Sequence, residues 1–97
     1  MTQTQDEQRY VCRVCGYRNP DHNPFYSENG GPEYGICACC GRESGYEDTT
    51  PEAAEMNRRR WIQEGTKWFH PELKPENWDL AEQLRRIGVE LKDYQTN

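Results

Sequence analysis

All five cysteines of this 97-residue chain fall in two short motifs, Cys12-Arg13-Val14-Cys15-Gly16 and Cys37-Ala38-Cys39-Cys40-Gly41. Each is a C-x-x-C followed at once by glycine, and 21 residues separate Cys15 from Cys37. That layout suits four thiolates around one metal ion, each at about 2.3 Å. The glycines have a physical role. After the second cysteine the chain turns sharply, often through φ > 0, so that backbone N–H groups can point at the sulfurs, and only glycine does this cheaply. Cys12, Cys15, Cys37 and Cys40 are therefore read as the ligands of one ion. Cys39 is read as a non-ligand, because Cys37 and Cys40 alone reproduce the spacing of the first motif.

The rest of the composition makes a metal staple necessary. Hydrophobic residues make up 33%, mean hydropathy is −1.22, and eight glycines and six prolines dilute regular structure. Small chains that bury little apolar surface are marginal alone. A structural Zn²⁺ contributes roughly 10 kcal/mol or more of apparent folding free energy. Met1 to Arg9 is polar, carries Asp6 and Glu7, and reads as disordered, with no secretory leader. No run approaches the ~20 apolar residues of a membrane span. The expected compartment is the cytoplasm, where thiols stay reduced and metal ligation prevails over disulfides.

Charge is uneven. The net value is −5, with eight acids and four bases in residues 1–50, and nine acids and eight bases in residues 51–97. Zinc ribbons that bind nucleic acid do so with basic faces, and phosphate repels an acidic one. The basic run Arg58-Arg59-Arg60 spreads around a helix instead of forming a stripe. Nucleic-acid binding is therefore a minor reading.

Along the chain, Tyr10-Val11 reads as a short strand into the first knuckle. A loop rich in breakers follows: Asn19-Pro20-Asp21, Asn23-Pro24 and Asn29-Gly30-Gly31-Pro32. Glu33-Tyr34-Gly35-Ile36 is a second short strand, and Gly45-Tyr46-Glu47-Asp48 closes the region. A helix is expected from about Pro51 to Glu64, with Thr49 and Glu52 as capping box, Pro51 in the first turn and Gly65 as the stop. His70-Pro71 to Lys74-Pro75 reads as an extended connection. A second helix starts near Asn77 to Asp79, where Asp79 and Glu82 fit a cap. Leu80, Leu84, Ile87 and Leu91 form its apolar stripe, and Gly88 weakens it. The expected organisation is one domain: a disordered segment 1–9, a knuckle region 10–48, and a two-helix extension 49–97 packed on it.

Tyr10-Val11-Cys12-Arg13-Val14-Cys15-Gly16-Tyr17 resembles the first knuckle of a rubredoxin. Ile36-Cys37-Ala38-Cys39-Cys40-Gly41, followed by Gly45-Tyr46-Glu47-Asp48, resembles the cysteine-rich CPCC family of small bacterial proteins, which usually carry proline where this chain has Ala38. The resemblance covers residues 10–48 and continues loosely through Arg60-Trp61-Ile62-Gln63-Glu64-Gly65 and Lys74-Pro75-Glu76-Asn77-Trp78. It implies a small α+β metal-stabilised domain, with a zinc-ribbon or rubredoxin-like knuckle pair and two C-terminal helices. Some proteins of this sort are thought to be immunity proteins for bacterial toxins.

The remaining candidates divide between structure and binding. Arg13, Arg42, Glu43 and Ser44 make the knuckle surroundings polar, which favours zinc over redox iron. His22 and His70 lack partners at ligand spacing and read as loop histidines. Glu43, Tyr46, Glu47, Asp48, Glu52 and Glu55 are either a solvated face beside a helix N-terminus or a docking patch for a basic partner. Trp61, Trp68, Phe69 and Trp78 are either core or interface anchors. Four cysteine ligands close a zinc shell, and neither a nucleophile triad nor a phosphate loop is visible. The expectation is a non-catalytic protein holding one Zn²⁺ and binding another protein, as an immunity-type or regulatory inhibitor of a basic toxin or enzyme surface. A rubredoxin-like iron carrier and a nucleic-acid-associated ribbon are the alternatives.

Overall fold

Two glycines set the shape of the first half. A computed structural model of the chain describes residues 8–18, 24–29 and 31–94. Most of the segment expected to be disordered, the Asn19-Pro20-Asp21 turn and His22 lie outside those residues. Gly16 and Gly41 adopt φ of 84° and 76°, the left-handed region that glycine enters without a steric penalty. At each the chain folds back. The Gly16 N–H donates to the Cys12 carbonyl and the Gly41 N–H to the Cys37 carbonyl, both at 2.9 Å.

The flanks of each knuckle pair only at single antiparallel bridges, Val11 with Arg18 and Ile36 with Glu43; a third joins Tyr26 to Pro32. The expected strands at Tyr10-Val11 and Glu33–Ile36 therefore shrink to isolated bridges, and the α+β description loses its β part among the described residues. The reason is local. The chain reverses within a few residues of every bridge, so no ladder can lengthen.

Helix α1 spans Pro51–Gln63. Its N-cap is Thr50, not Thr49: the Thr50 hydroxyl accepts from the Ala53 N–H at 3.0 Å. Pro51 explains the shift, since a residue before proline is driven into extended backbone, and Thr50 sits at φ −133°, ψ 160°. The far end is a Schellman turn. Gly65 takes φ 100°, the Thr66 N–H reaches the Trp61 carbonyl and the Gly65 N–H reaches that of Ile62.

Helix α2 covers Leu80–Arg85, capped as expected by Asp79, which accepts from the Glu82 N–H. Gly88 at φ 73° stops it, and Leu91 falls instead in a 3-10 turn, Leu91–Tyr94. The connection expected to be extended from His70 to Pro75 coils instead into a 3-10 turn at Pro71–Leu73, where proline's fixed φ suits a first turn and the Leu73 N–H reaches the His70 carbonyl.

The two helices close over the knuckles. One buried cluster joins Cys12, Val14, Cys15, Phe25, Tyr26, Cys37, Cys39, Cys40, Ala54, Trp61 and Trp68, with Trp78 and Leu80 packed on it. Edge-to-face ring contacts link Tyr17 to Trp68, Trp68 to Trp78 and Trp78 to Trp61, each adding about 0.5–1.5 kcal/mol beyond burial. Trp61 and Trp68 are thus core and Trp78 packs partly buried against them, whereas Phe69 stays exposed. Leu84 has no exposed surface. Leu84→Ala should therefore lower stability by about 2–4 kcal/mol. Urea unfolding followed by tryptophan fluorescence measures this, and a loss below half of that would show that α2 is only loosely attached.

Candidate metal centre

Cys12, Cys15, Cys37 and Cys40 converge as the spacing predicts, with all four sulfurs within 4.8 Å of one another. Each is 4% exposed or less. The closest approaches run across the knuckles: Cys12 Sγ to Cys40 Sγ at 3.7 Å and Cys15 Sγ to Cys37 Sγ at 3.6 Å. The leading cysteine of each knuckle thus faces the trailing cysteine of the other, an approximate two-fold arrangement. A tetrahedron with bonds of about 2.3 Å has edges of about 3.8 Å, so the two closest pairs match the edge of a tetrahedral S₄ site.

The knuckles repeat each other in detail. The Val14 N–H points at Cys12 Sγ and the Cys39 N–H at Cys37 Sγ, both at 3.4 Å. The Cys12 N–H bonds the Tyr17 carbonyl, and the Cys37 N–H bonds that of Arg42. Cys39 therefore occupies the place that Val14 holds in the first knuckle. It is buried and stands outside the four-sulfur set.

The environment shifts three of the clustered thiols. Burial, reinforced by neighbouring sulfurs, pushes Cys15 well above the ordinary thiol value. Hydrogen bonding with Cys12, with burial adding to it, raises Cys40. Burial raises Cys37 too, but hydrogen bonds from Cys12, Cys15 and Cys40 outweigh it and carry Cys37 well below. Metal binding requires thiolates, so an ion entering the cluster would displace protons from it.

With N–H groups turned toward sulfur, the knuckle carbonyls face outward, and the C-terminal half receives them. The buried Arg58 guanidinium donates to the carbonyls of Val14 at 2.7 Å and Arg13 at 3.1 Å. Gln83 Nε2 donates to Cys15 O at 3.0 Å, and Arg86 to Gly16 O at 3.1 Å. On the second knuckle the His70 and Phe69 N–H groups bond the carbonyls of Ala38 and Cys39. Arg42 takes that of Cys40 at 3.0 Å. Sequence reasoning missed Arg58, Gln83 and Arg86, since nothing local marks them.

The acidic run divides on inspection. Asp48 is buried, its carboxylate accepting from the Gly45 N–H at 2.7 Å. Glu47 accepts from the Glu43 N–H at 2.9 Å. Glu55 pairs with Arg59 at 2.6 Å, which lowers its pKa. Glu52 and Tyr46 face solvent. The arginine run divides likewise, with Arg58 inside, Arg59 paired and Arg60 exposed, so it forms no shared basic face. His70 lies at the surface, 3.3 Å from Glu72.

The described residues thus form a small compact domain with helices α1 and α2 and four clustered cysteines positioned to hold a metal ion. The chain is similar to two Bacillus subtilis (strain 168) proteins, each described as uncharacterized. YoaQ is 28% identical over 92% of this chain and 95% of its own length. YozI is 28% identical over 89% of this chain and 91% of its own. No protein-family model and no solved structure matches the chain.

Proposed function

We propose that this chain is a non-catalytic bacterial protein of zinc-ribbon type, rubredoxin-like in its paired knuckles and akin to the CPCC proteins, which holds one Zn²⁺ and acts in the cytoplasm by binding another protein. The observation that carries the reading is the closed set of four buried sulfurs within 4.8 Å of one another. Four thiolates fill a zinc shell and leave no position for a catalytic water. The helices cover the knuckles, which suits a structural ion.

Partner binding draws on a different face. Tyr34, Ile36 and Tyr46 are 58%, 48% and 73% exposed along the outer flank of the second knuckle, where Ile36 pairs with Glu43. Exposed aromatics beside Glu33, Glu43 and Glu47 fit a partner with a positive surface, as an immunity-type or regulatory inhibitor of a basic toxin or enzyme would meet. Opposite charge speeds such an encounter.

Iron is the second reading, favoured by the N–H groups aimed at Cys12 and Cys37 sulfur, since such bonds tune the potential of an iron centre. Elemental analysis of the purified chain should find one zinc per molecule in a colourless protein, because d¹⁰ zinc has no d–d transitions. A red protein with one iron would establish the carrier instead. The binding surface is tested by Glu33→Lys with Glu43→Lys, which should slow association with a captured host partner and leave metal content intact. Asp48 is unsuitable for that reversal because it holds the Gly45 turn.

A further inference from the structure

Gln83 is a buried polar side chain whose amide reaches both knuckles. Its Nε2 lies 3.0 Å from the Cys15 carbonyl of the first and 3.5 Å from Cys39 Sγ of the second. The other clamping groups, Arg58, Arg86 and the Phe69 and His70 N–H groups, each bond one knuckle.

Its orientation is set by chemistry. Trp78 Nε1 stands 2.8 Å from the other end of the amide. An indole N–H can only donate, so that end is the carbonyl oxygen, and the NH₂ group faces the knuckles. The backbone is fixed as well. A Cβ on Gly16 would stand 2.3 Å from the Gln83 carbonyl oxygen, so α2 lies directly on the turn that follows Cys15.

We infer that Gln83 is a positioning residue for the metal: its amide ties the knuckles together across their covered side and slows their separation, and with it the loss of the ion. This rests on the four cysteines holding a metal. An ion enclosed by buried sulfurs leaves only when the knuckles part. Parting them strands the buried Gln83 NH₂ and the Cys15 carbonyl, each a group that is costly to leave unpaired. Partners of this kind, one bond removed from the ligands, typically change metal affinity by about 10–100-fold.

The test uses the full chain loaded with zinc and a chromogenic chelator in excess. Gln83→Met keeps side-chain volume and removes the amide. It should release zinc about 10–100-fold faster than the parent, while far-ultraviolet circular dichroism shows the same helix content. Thr50→Ala is the control for stability alone, since it removes the α1 cap, whose hydroxyl bonds the Ala53 N–H, and should leave the release rate within about twofold, the cap being worth ~1 kcal/mol of folding. Release from Gln83→Met at the parental rate, or equal acceleration by Thr50→Ala, overturns the inference. Should Gln83→Met not fold, the parent decides. In the zinc-loaded parent the Gln83 side-chain amide protons should exchange with solvent slowly and become fast when the chelator removes the ion. Fast exchange in the loaded protein overturns the inference while the metal reading stands. A parent that takes up neither zinc nor cadmium overturns both.

Discussion

Replacing Cys37 with serine should abolish stoichiometric metal and unfold the knuckle region, and Cys12→Ser should do the same. Each removes one of four ligands whose sulfurs lie within 4.8 Å of one another. The expected loss approaches the whole contribution of the ion, roughly 10 kcal/mol or more in apparent folding free energy, which exceeds the entire stability of an ordinary small domain. Cys39→Ser is the decisive companion. Cys39 takes the place of Val14, so its variant should keep one ion per chain and lose only packing and the weak contact from Gln83. Elemental analysis with near-ultraviolet circular dichroism reads both outcomes. A Cys39 variant without metal beside a Cys37 variant that retains it would reverse the ligand assignment.

Arg58→Ala should destabilise the fold by about 3–5 kcal/mol, because two buried carbonyls lose their donors at once and the packed aliphatic stem is lost as well. Arg58 is 7% exposed and bonds Val14, Arg13 and the Tyr94 hydroxyl. Arg58→Lys should recover only part of the loss, since an ammonium group cannot reproduce the guanidinium fork. Chemical denaturation of the metal-loaded variants measures both. If Arg58→Ala unfolds with the parent's midpoint, the clamp from α1 on the first knuckle is dispensable.

These two residues show how unevenly the structure was legible. Cys37 announces itself, because a metal ligand in a knuckle is specified by its neighbours. The residue three positions on and the glycine behind it complete a unit of five. The helix boundaries were legible for the same reason, as Asp79 and Gly65 act within one turn of themselves. Thr49 failed as the cap by one position, where the constraint that Pro51 places on Thr50 outweighed the capping-box spacing. Arg58 gave no such sign. In sequence it is one of three adjacent arginines, and a helix face is assigned only when something packs against it.

The acidic run behaves in the same way. Glu47, Asp48 and Glu55 share a sign and a neighbourhood in the chain, yet one caps a turn, one is buried beneath it and one pairs with an arginine. Each outcome depends on where a backbone N–H or a cation arrives. Composition can say that such groups need partners, and cannot say which partners they find.

The sequence by itself determined the four-cysteine cluster, the turn after each knuckle, the cap of α2 and the glycine stop of α1, because each is settled by interactions within about five residues. Only the tertiary structure decided which side chains receive the knuckle carbonyls. For the first knuckle those bonds join residues 44 to 70 positions apart, from Val14 with Arg58 to Gly16 with Arg86. Turning N–H groups toward sulfur forces the carbonyls outward, so donors were required. That the donors are Arg58, Gln83 and Arg86 follows from how two short helices pack their aromatic faces over the cluster, and that packing is a property of the whole chain.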